Sequence, residues 1–206
     1  MVSAAELTES LTSRDLQREE TRRRVRDCAL QIFRRDGVAA AKIEEIVKLA
    51  GVSRGTFYFH FPTKEDVIVD LLDEAEGRVA HAIEVLPTST PLKKVLDAMC
   101  TQMAHEWESE RELFPQIGAV ALGRGAATFQ PESLGPVRTA IAASFRAAKQ
   151  RRELTASMPA EVLADFFLIN VFAAALAWCA HPRHPLREVL RSVVDIFLNG
   201  ARGPRR

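Results

Sequence analysis

The stretch GVSRGTFYFHFPTKED, Gly51 to Asp66, decides how the first part of the chain folds. Four of the 14 aromatic residues, including the only tyrosine, lie between Phe57 and Phe61. Ser53 is a residue type that caps a helix, because its hydroxyl accepts from the free amides of the first turn. Pro62 ends that helix, since proline disfavours helical geometry in the residue before it. The spacing therefore predicts one short helix running from Ser53 into Phe61. On a 3.6-residue wheel Phe57 and Phe61 share the inward face, Gly55 and Phe59 point away, and Thr56 and Tyr58 flank them. Two aromatic rings face a core, and the outer face is small, polar and aromatic.

Upstream, IEEIVKLA (Ile43 to Ala50) reads as a second short helix that stops at Gly51. Ile43, Ile46, Val47, Ala50, Val52 and Phe57 can close around one small core. Two short helices joined through a glycine-containing turn form the helix-turn-helix pattern. A seven-residue helix is about 10 Å long and suits a major groove about 12 Å wide. In that role Arg54 meets a guanine edge, Thr56 offers a methyl or hydroxyl, and Phe59 packs on a thymine methyl or a sugar. Gly55 lets the backbone come close. Tyr58 and His60 donate to phosphates, and Lys64 meets one at the first turn of the next helix.

Charge supports a polyanion partner for this part alone. Residues 14 to 64 carry 12 of the 28 basic and 7 of the 27 acidic residues, leaving the remainder net acidic within a chain of net charge +1. Arg22, Arg23, Arg24 and Arg26 belong to a basic run able to touch a DNA backbone. Residues 1 to 13 read as a disordered leader without a signal peptide. A helix is expected from about Leu16 to Asp36, with Gly37 as its left-handed stop. Another opens at Thr63, where Asp66 completes an acidic variant of the capping box, and runs to about Val85. LPTSTP, Leu86 to Pro91, is a break. It separates a DNA-binding domain over 14–86 from a second domain over 91–206.

On the residues CALQIFRRDGVAAAKIEEIVKLAGVSRGTFYFHFPTKEDVIVDLL, the segment from about 20 to 72 resembles the DNA-binding domain of the TetR family of bacterial transcriptional regulators. The resemblance implies an all-α homodimer that reads a palindromic operator, and it assigns Arg54, Gly55, Thr56, Tyr58, Phe59, His60 and Lys64 to the DNA contact. Lys42 stands where the family usually has a capping threonine. A lysine cannot accept the amide hydrogen bonds of a cap, although its ammonium can meet a phosphate. Val47 replaces the alanine usual in the turn.

The second part is helical throughout, with segments expected near 91–109, 111–123, 133–152, 159–180 and 185–200. VLADFFLINVFAAALAWCA (Val162 to Ala180) is nearly all apolar. Asp165 and Asn170 argue against a membrane span, so the helix meets its own core on one side and a second subunit on the other. Leu186, Val189, Leu190, Val193 and Phe197 give the last helix a matching face, widened by Val194, Ile196 and Leu198. Met99, Met103, Trp107, Phe114, Ile117, Phe129, Phe145 and Phe166 are candidates to line an effector pocket for a hydrophobic or aromatic molecule, and the resemblance also implies such a pocket. Glu106, Glu108, Glu110 and Glu112 read as a solvated helix end. Cys179, His181 and His184 have metal-capable side chains near Pro182 and Pro185, but three such residues in a loop are weak evidence and no metal is expected. The three cysteines suggest no disulfide framework. No catalytic set and no cofactor motif is present. The expectation is a cytoplasmic, all-α, ligand-released regulator. The alternative is a small-molecule carrier with a vestigial helix-turn-helix.

Overall fold

A computed structural model describes residues 13–108, 110–127 and 135–201, and among these the protein is built from helices without strands. In chain order they are α1 (Ser13–Asp36), α2 (Ile43–Ala50), α3 (Arg54–His60), α4 (Glu65–Glu84), α5 (Leu92–Trp107), α6 (Phe114–Ala127), α7 (Pro136–Gln150), α8 (Ala160–Ala180) and α9 (Leu186–Ala201). The chain divides into two compact units, residues 1–67 and 68–206.

In the first unit Val25, Ala29, Ile32 and Phe33 of α1 are buried with Ile46, Val47 and Ala50 of α2 and with Phe57 and Phe61. The connections follow local chemistry. Gly37, at φ +79°, stops α1 and donates its N–H to the Phe33 carbonyl at 2.8 Å. Gly51, at φ +65°, does the same for α2, a conformation that costs other residues steric energy. Ser53 caps α3 by accepting from the Thr56 amide at 3.0 Å. Ahead of α4, Asp66 accepts from the Thr63 amide at 2.7 Å, and the Asp66 amide donates back to the Thr63 hydroxyl at 3.2 Å.

The second unit packs α5 on α9 and α7, α7 and α9 on α8, and α6 on α8. Its centre holds Leu96, Met99, Ile141, Phe145, Phe167, Leu190 and Val194. The Phe145, Phe167 and Phe197 rings meet with centroids 5.2 to 6.1 Å apart, in tilted and edge-on arrangements that suit the aromatic quadrupole. Carboxylates cap helices over long sequence distances. Glu153 accepts from the Leu92 amide at the start of α5 (2.7 Å), and Glu108 accepts from the Leu186 amide at the start of α9 (2.9 Å).

Three details differ from the sequence expectation. The compact units divide after Val67, inside α4, and not at Leu86 to Pro91. Leu72, Ala75, Val79, Ala80 and Ile83 form a buried stripe on α4, so most of that helix counts with the second unit. The Leu86 to Pro91 segment is also held in place, because Arg151 donates to the carbonyls of Thr88 and Thr90. Helix α6 starts later than expected, after a turn in which the Leu113 and Phe114 amides both donate to the Glu110 carbonyl, and it continues through Gly123 and Gly125. Ser13 already opens α1, and the rest of the expected leader, like Phe129, lies outside the described residues.

Candidate functional site

Helix α3 presents the outer face that the wheel requires. Phe57 and Phe61 are fully buried, while Tyr58 is 44% and Phe59 64% exposed. Gly55 is exposed, and a Cβ built there would meet only the Ser53 hydroxyl, at 3.6 Å. Among the described residues nothing excludes a side chain at that position, yet a glycine within a helix costs about 1 kcal/mol relative to alanine. Thr56 is half-buried, its hydroxyl 2.9 Å from that of Ser53. Lys42 is exposed at the N-cap of α2 and makes no capping bond with its side chain.

Several cations expected to face a nucleic acid have internal partners. Lys64 donates to the carbonyls of Ala39 (2.9 Å) and Ala41 (3.0 Å), tying the α1–α2 connection to the start of α4. Arg54 is exposed but paired with Glu44 at 2.7 Å, so a base contact requires it to exchange one acceptor for another. His60 is corrected outright: it is buried, because it lies three residues after Phe57 on the inward side of α3. Burial, with Arg22 and Arg18 nearby, pushes its imidazole below the ordinary histidine range, against a smaller opposing effect of Glu19.

The basic run of α1 is sorted in the same way. The Arg22 guanidinium donates to the His60 carbonyl at 3.3 Å and lies over the Phe61 ring. Arg24 donates to the Ala50 carbonyl at 3.1 Å, satisfying an acceptor at the end of α2. Arg26 is buried. Arg22 and Arg24 thus tie α1 to α3 and α2, whereas Arg23 is exposed and makes no internal bond among the described residues. Arg18, which no spacing argument singled out, has its guanidinium 4.9 Å above the ring of Phe59.

The second unit contains an apolar cavity of about 230 Å3 between α4, α5, α6, α7 and α8. Of the expected lining residues it uses Met103, Trp107, Phe114 and Ile117. Met99 and Phe145 are instead fully buried in the core, and Phe166 is 48% exposed on the far side of α8. Sequence spacing missed Leu72 and Val79 of α4 and Leu168 and Phe172 of α8, whose stripes look the same whether they face a core or a cavity. Glu76 and Arg138 bring the polar groups, and Arg138 is held by Asp165 through two hydrogen bonds, one of them 2.8 Å long. Glu106, which sequence spacing placed at a solvated helix end, is bonded by Arg78 (2.7 Å) and by Gln102 (2.6 Å). Burial raises its carboxyl, but these bonds more than offset that and leave it below the ordinary range.

Helix α8 has two faces. Leu163, Ala164, Phe167, Val171, Ala175 and Trp178 are buried, whereas Val162, Phe166 and Ile169 are exposed, as is Ile196 on α9. By length and apolarity alone α8 is able to cross a membrane. A buried stripe and an ion-paired Asp165 instead fit a helix packed on one side within its own unit. Among the described residues no cluster of three or more potential metal ligands is present, and burial pushes the Cys100 thiol up to about 12.

Residues 25–71 match the family described as bacterial regulatory proteins, tetR family. The HTH-type transcriptional regulator AcrR of Shigella flexneri is 36% identical over 63 residues, which is 31% of this chain and 29% of AcrR. The HTH-type transcriptional regulator TtgR of Pseudomonas putida is 36% identical over 77 residues, 36% of this chain and 37% of TtgR. The chain thus covers only about a third of the length of these curated relatives. Across most of its length the fold is similar to Thermus thermophilus FadR, a TetR-family transcriptional repressor solved in complex with lauroyl-CoA. The TM-score is 0.71 and the identity 26%, covering 90% of this chain and 97% of FadR.

Proposed function

We infer, since the chain belongs to the TetR family of bacterial regulatory proteins, that it is a cytoplasmic repressor whose homodimer binds a palindromic operator and is released by a small effector. The observation that carries the reading is the outer face of α3. Phe59 stands 64% exposed beside a Gly55 that no internal contact requires, so the folding cost of both is explained by a partner that comes close to the helix. In the complex, Arg54, Thr56 and Phe59 read base edges, while Lys42, Tyr58 and the amide ends of the short helices meet phosphates. Lys64 acts by fixing the loop ahead of α2 through the carbonyls of Ala39 and Ala41.

The exposed stripe of α8, with Ile196 of α9, supplies the dimer contact, because an unpartnered apolar face of this kind is costly in water. Two-fold symmetry then sets two α3 helices about 34 Å apart, the spacing of successive major grooves. Effector release follows if a ligand prefers a conformer with another spacing. Leu72, Ala75 and Val79 of α4 line the cavity, and the first residues of α4 belong to the DNA-reading unit. FadR was solved with lauroyl-CoA, yet a cavity of about 230 Å3 falls below the roughly 300–1,000 Å3 of clefts that hold drug-sized ligands. A compact hydrophobic or aromatic molecule fits this volume, and a CoA thioester requires the cavity to widen.

Selection of random duplex DNA on the purified protein, followed by sequencing, tests the reading. An enriched inverted repeat supports it, and salt-sensitive binding without enrichment overturns it. Isothermal titration of small aromatic compounds and of lauroyl-CoA, with and without the selected duplex, then tests release. Equal affinity in both conditions removes the coupling.

A further inference from the structure

We propose that Arg18 of α1 is a positioning residue of the DNA interface, its guanidinium carried on the exposed ring of Phe59 and aimed at a backbone phosphate beside the groove that α3 enters. The proposal rests on the reading of α3 as the DNA helix and extends the interface to an element outside the helix-turn-helix.

The arginines of this unit separate by what they touch. Arg22 and Arg24 spend hydrogen bonds on the carbonyls of His60 and Ala50, Arg26 is buried, and Arg54 is paired with Glu44. Arg18 is exposed, forms no salt bridge among the described residues, and rests 4.9 Å from the centroid of the Phe59 ring. A cation held over an aromatic ring is attracted by the ring's quadrupole and not through an N–H···O bond, so the contact with Phe59 leaves the guanidinium donors for an acceptor outside the protein. Their fork geometry matches phosphate oxygens bidentately. The contact also restricts a side chain that otherwise loses much rotamer freedom on binding, so the cation is oriented before DNA arrives.

The location agrees with the chemistry. Phe59 lies on the face of α3 that also carries Gly55 and is the most exposed aromatic residue of this unit. The cation above it therefore flanks the recognition surface. Phe59 then has two tasks: its edge packs in the groove, and its face holds Arg18 at the groove's border. Arg18 contributes charge without sequence preference, which separates it from Arg54 and Thr56.

The test uses the full chain and the duplex obtained by selection. Binding is followed by fluorescence anisotropy across a salt series for the wild type, Arg18→Ala, Arg18→Lys, Phe59→Leu and the Arg18→Ala/Phe59→Leu double variant, with thermal melting of each. Arg18→Ala is expected to weaken binding about tenfold on selected and scrambled duplexes alike, and to reduce the salt slope by about 0.9, one phosphate's share. Its melting temperature stays within about 2 °C of the wild type, as for a surface substitution. Arg18→Lys keeps the slope and recovers part of the affinity. The double variant loses less than the product of the single losses, because the two residues act together. Unchanged affinity and slope for Arg18→Ala overturn the proposal, as do losses that multiply independently. Absence of any selected duplex for the wild type overturns the DNA reading itself, which is a distinct result from a silent Arg18→Ala on a protein that binds.

Discussion

Two surfaces of this protein expose large apolar side chains, and they differ in what surrounds those side chains. On α3, Phe59 and Tyr58 are interrupted by Gly55 and Thr56 and bordered by the cations of Arg18 and Arg54. On α8, Val162, Phe166 and Ile169 follow one another at helical spacing, and Ile196 on α9 extends the apolar character. A broken aromatic face with positive borders suits a polyanion with π-faced and methyl-bearing bases. A continuous apolar face suits another apolar face. The same observation, exposed hydrophobic area, thus points to different partners once the neighbours are counted.

The comparison is broken most severely by removing what holds α3 in place. Phe57 is fully buried, with Tyr58 edge-on to it at 5.5 Å and Phe61 tilted against it at 6.0 Å. Phe57→Ala is expected to cost about 3–5 kcal/mol and to unfold the first unit, leaving no α3 face to compare. Chemical denaturation followed by helical circular dichroism checks this, and a variant as stable as the wild type means that α3 is held by other contacts.

A second substitution breaks the other side. Ile196 is 74% and Ile169 60% exposed in the single chain, so glutamate at either site leaves one folded chain almost undisturbed. In a dimer each substitution buries a charge twice, once per subunit. Ile169→Glu/Ile196→Glu is expected to turn the proposed dimer into a monomer at micromolar concentration in sedimentation velocity, with helical content kept. A dimer that persists places the subunit contact elsewhere.

These expectations were not equally legible in the sequence. The first unit is read almost completely from local signals: Gly37 and Gly51 end helices in left-handed geometry, Ser53 caps α3, and Thr63 with Asp66 caps α4. Each is a decision made within a few residues. The error at His60 is local: a wheel that turns Phe57 inward also turns inward the residue three positions on. The error at Lys64 comes from partners far along the chain, since nothing near it points to the carbonyls of Ala39 and Ala41. In the second unit nearly every decision is of that long-range kind. Phe166 and Phe167 are adjacent, yet one is 48% exposed and the other fully buried. A helix apolar on all sides carries no marker of which stripe meets the core, the cavity or the partner. That is why Met99, Phe145 and Phe166 lie away from the cavity.

A smaller effect sharpens the account of α3. A methyl group at position 55 meets only ordinary contact with the Ser53 hydroxyl, so Gly55→Ala is expected to stabilise the first unit by up to about 1 kcal/mol. The same substitution is expected to weaken binding to the selected duplex at least tenfold, because the methyl stands where the DNA approaches. Stability and binding moving in opposite directions is the signature of a residue kept for its partner. A variant that gains stability and binds as before shows that the backbone of α3 stays away from the groove.

The smallest effect concerns pH and separates the inner face of α3 from the outer one. His60 is buried, and desolvation, followed by Arg22 and Arg18, lowers its folded pKa below the unfolded value of about 6.5. The unfolded chain therefore takes up a proton at a pH where the folded chain does not, and stability must rise with pH across that interval. Above about pH 7.5 both states are neutral at this residue and it contributes no pH dependence. As pH falls through about 6.5, the unfolded state gains the proton first and the first unit loses stability, until His60 is protonated in the folded state as well. His60→Gln, which cannot be protonated, is expected to flatten this part of the profile while leaving the stability lost to carboxylate titration at lower pH. Melting curves between about pH 5 and 8 for both proteins make the comparison. Parallel profiles mean that the imidazole takes up its proton as readily in the folded chain as in the unfolded one, so that the inner face of α3 is open to water in solution.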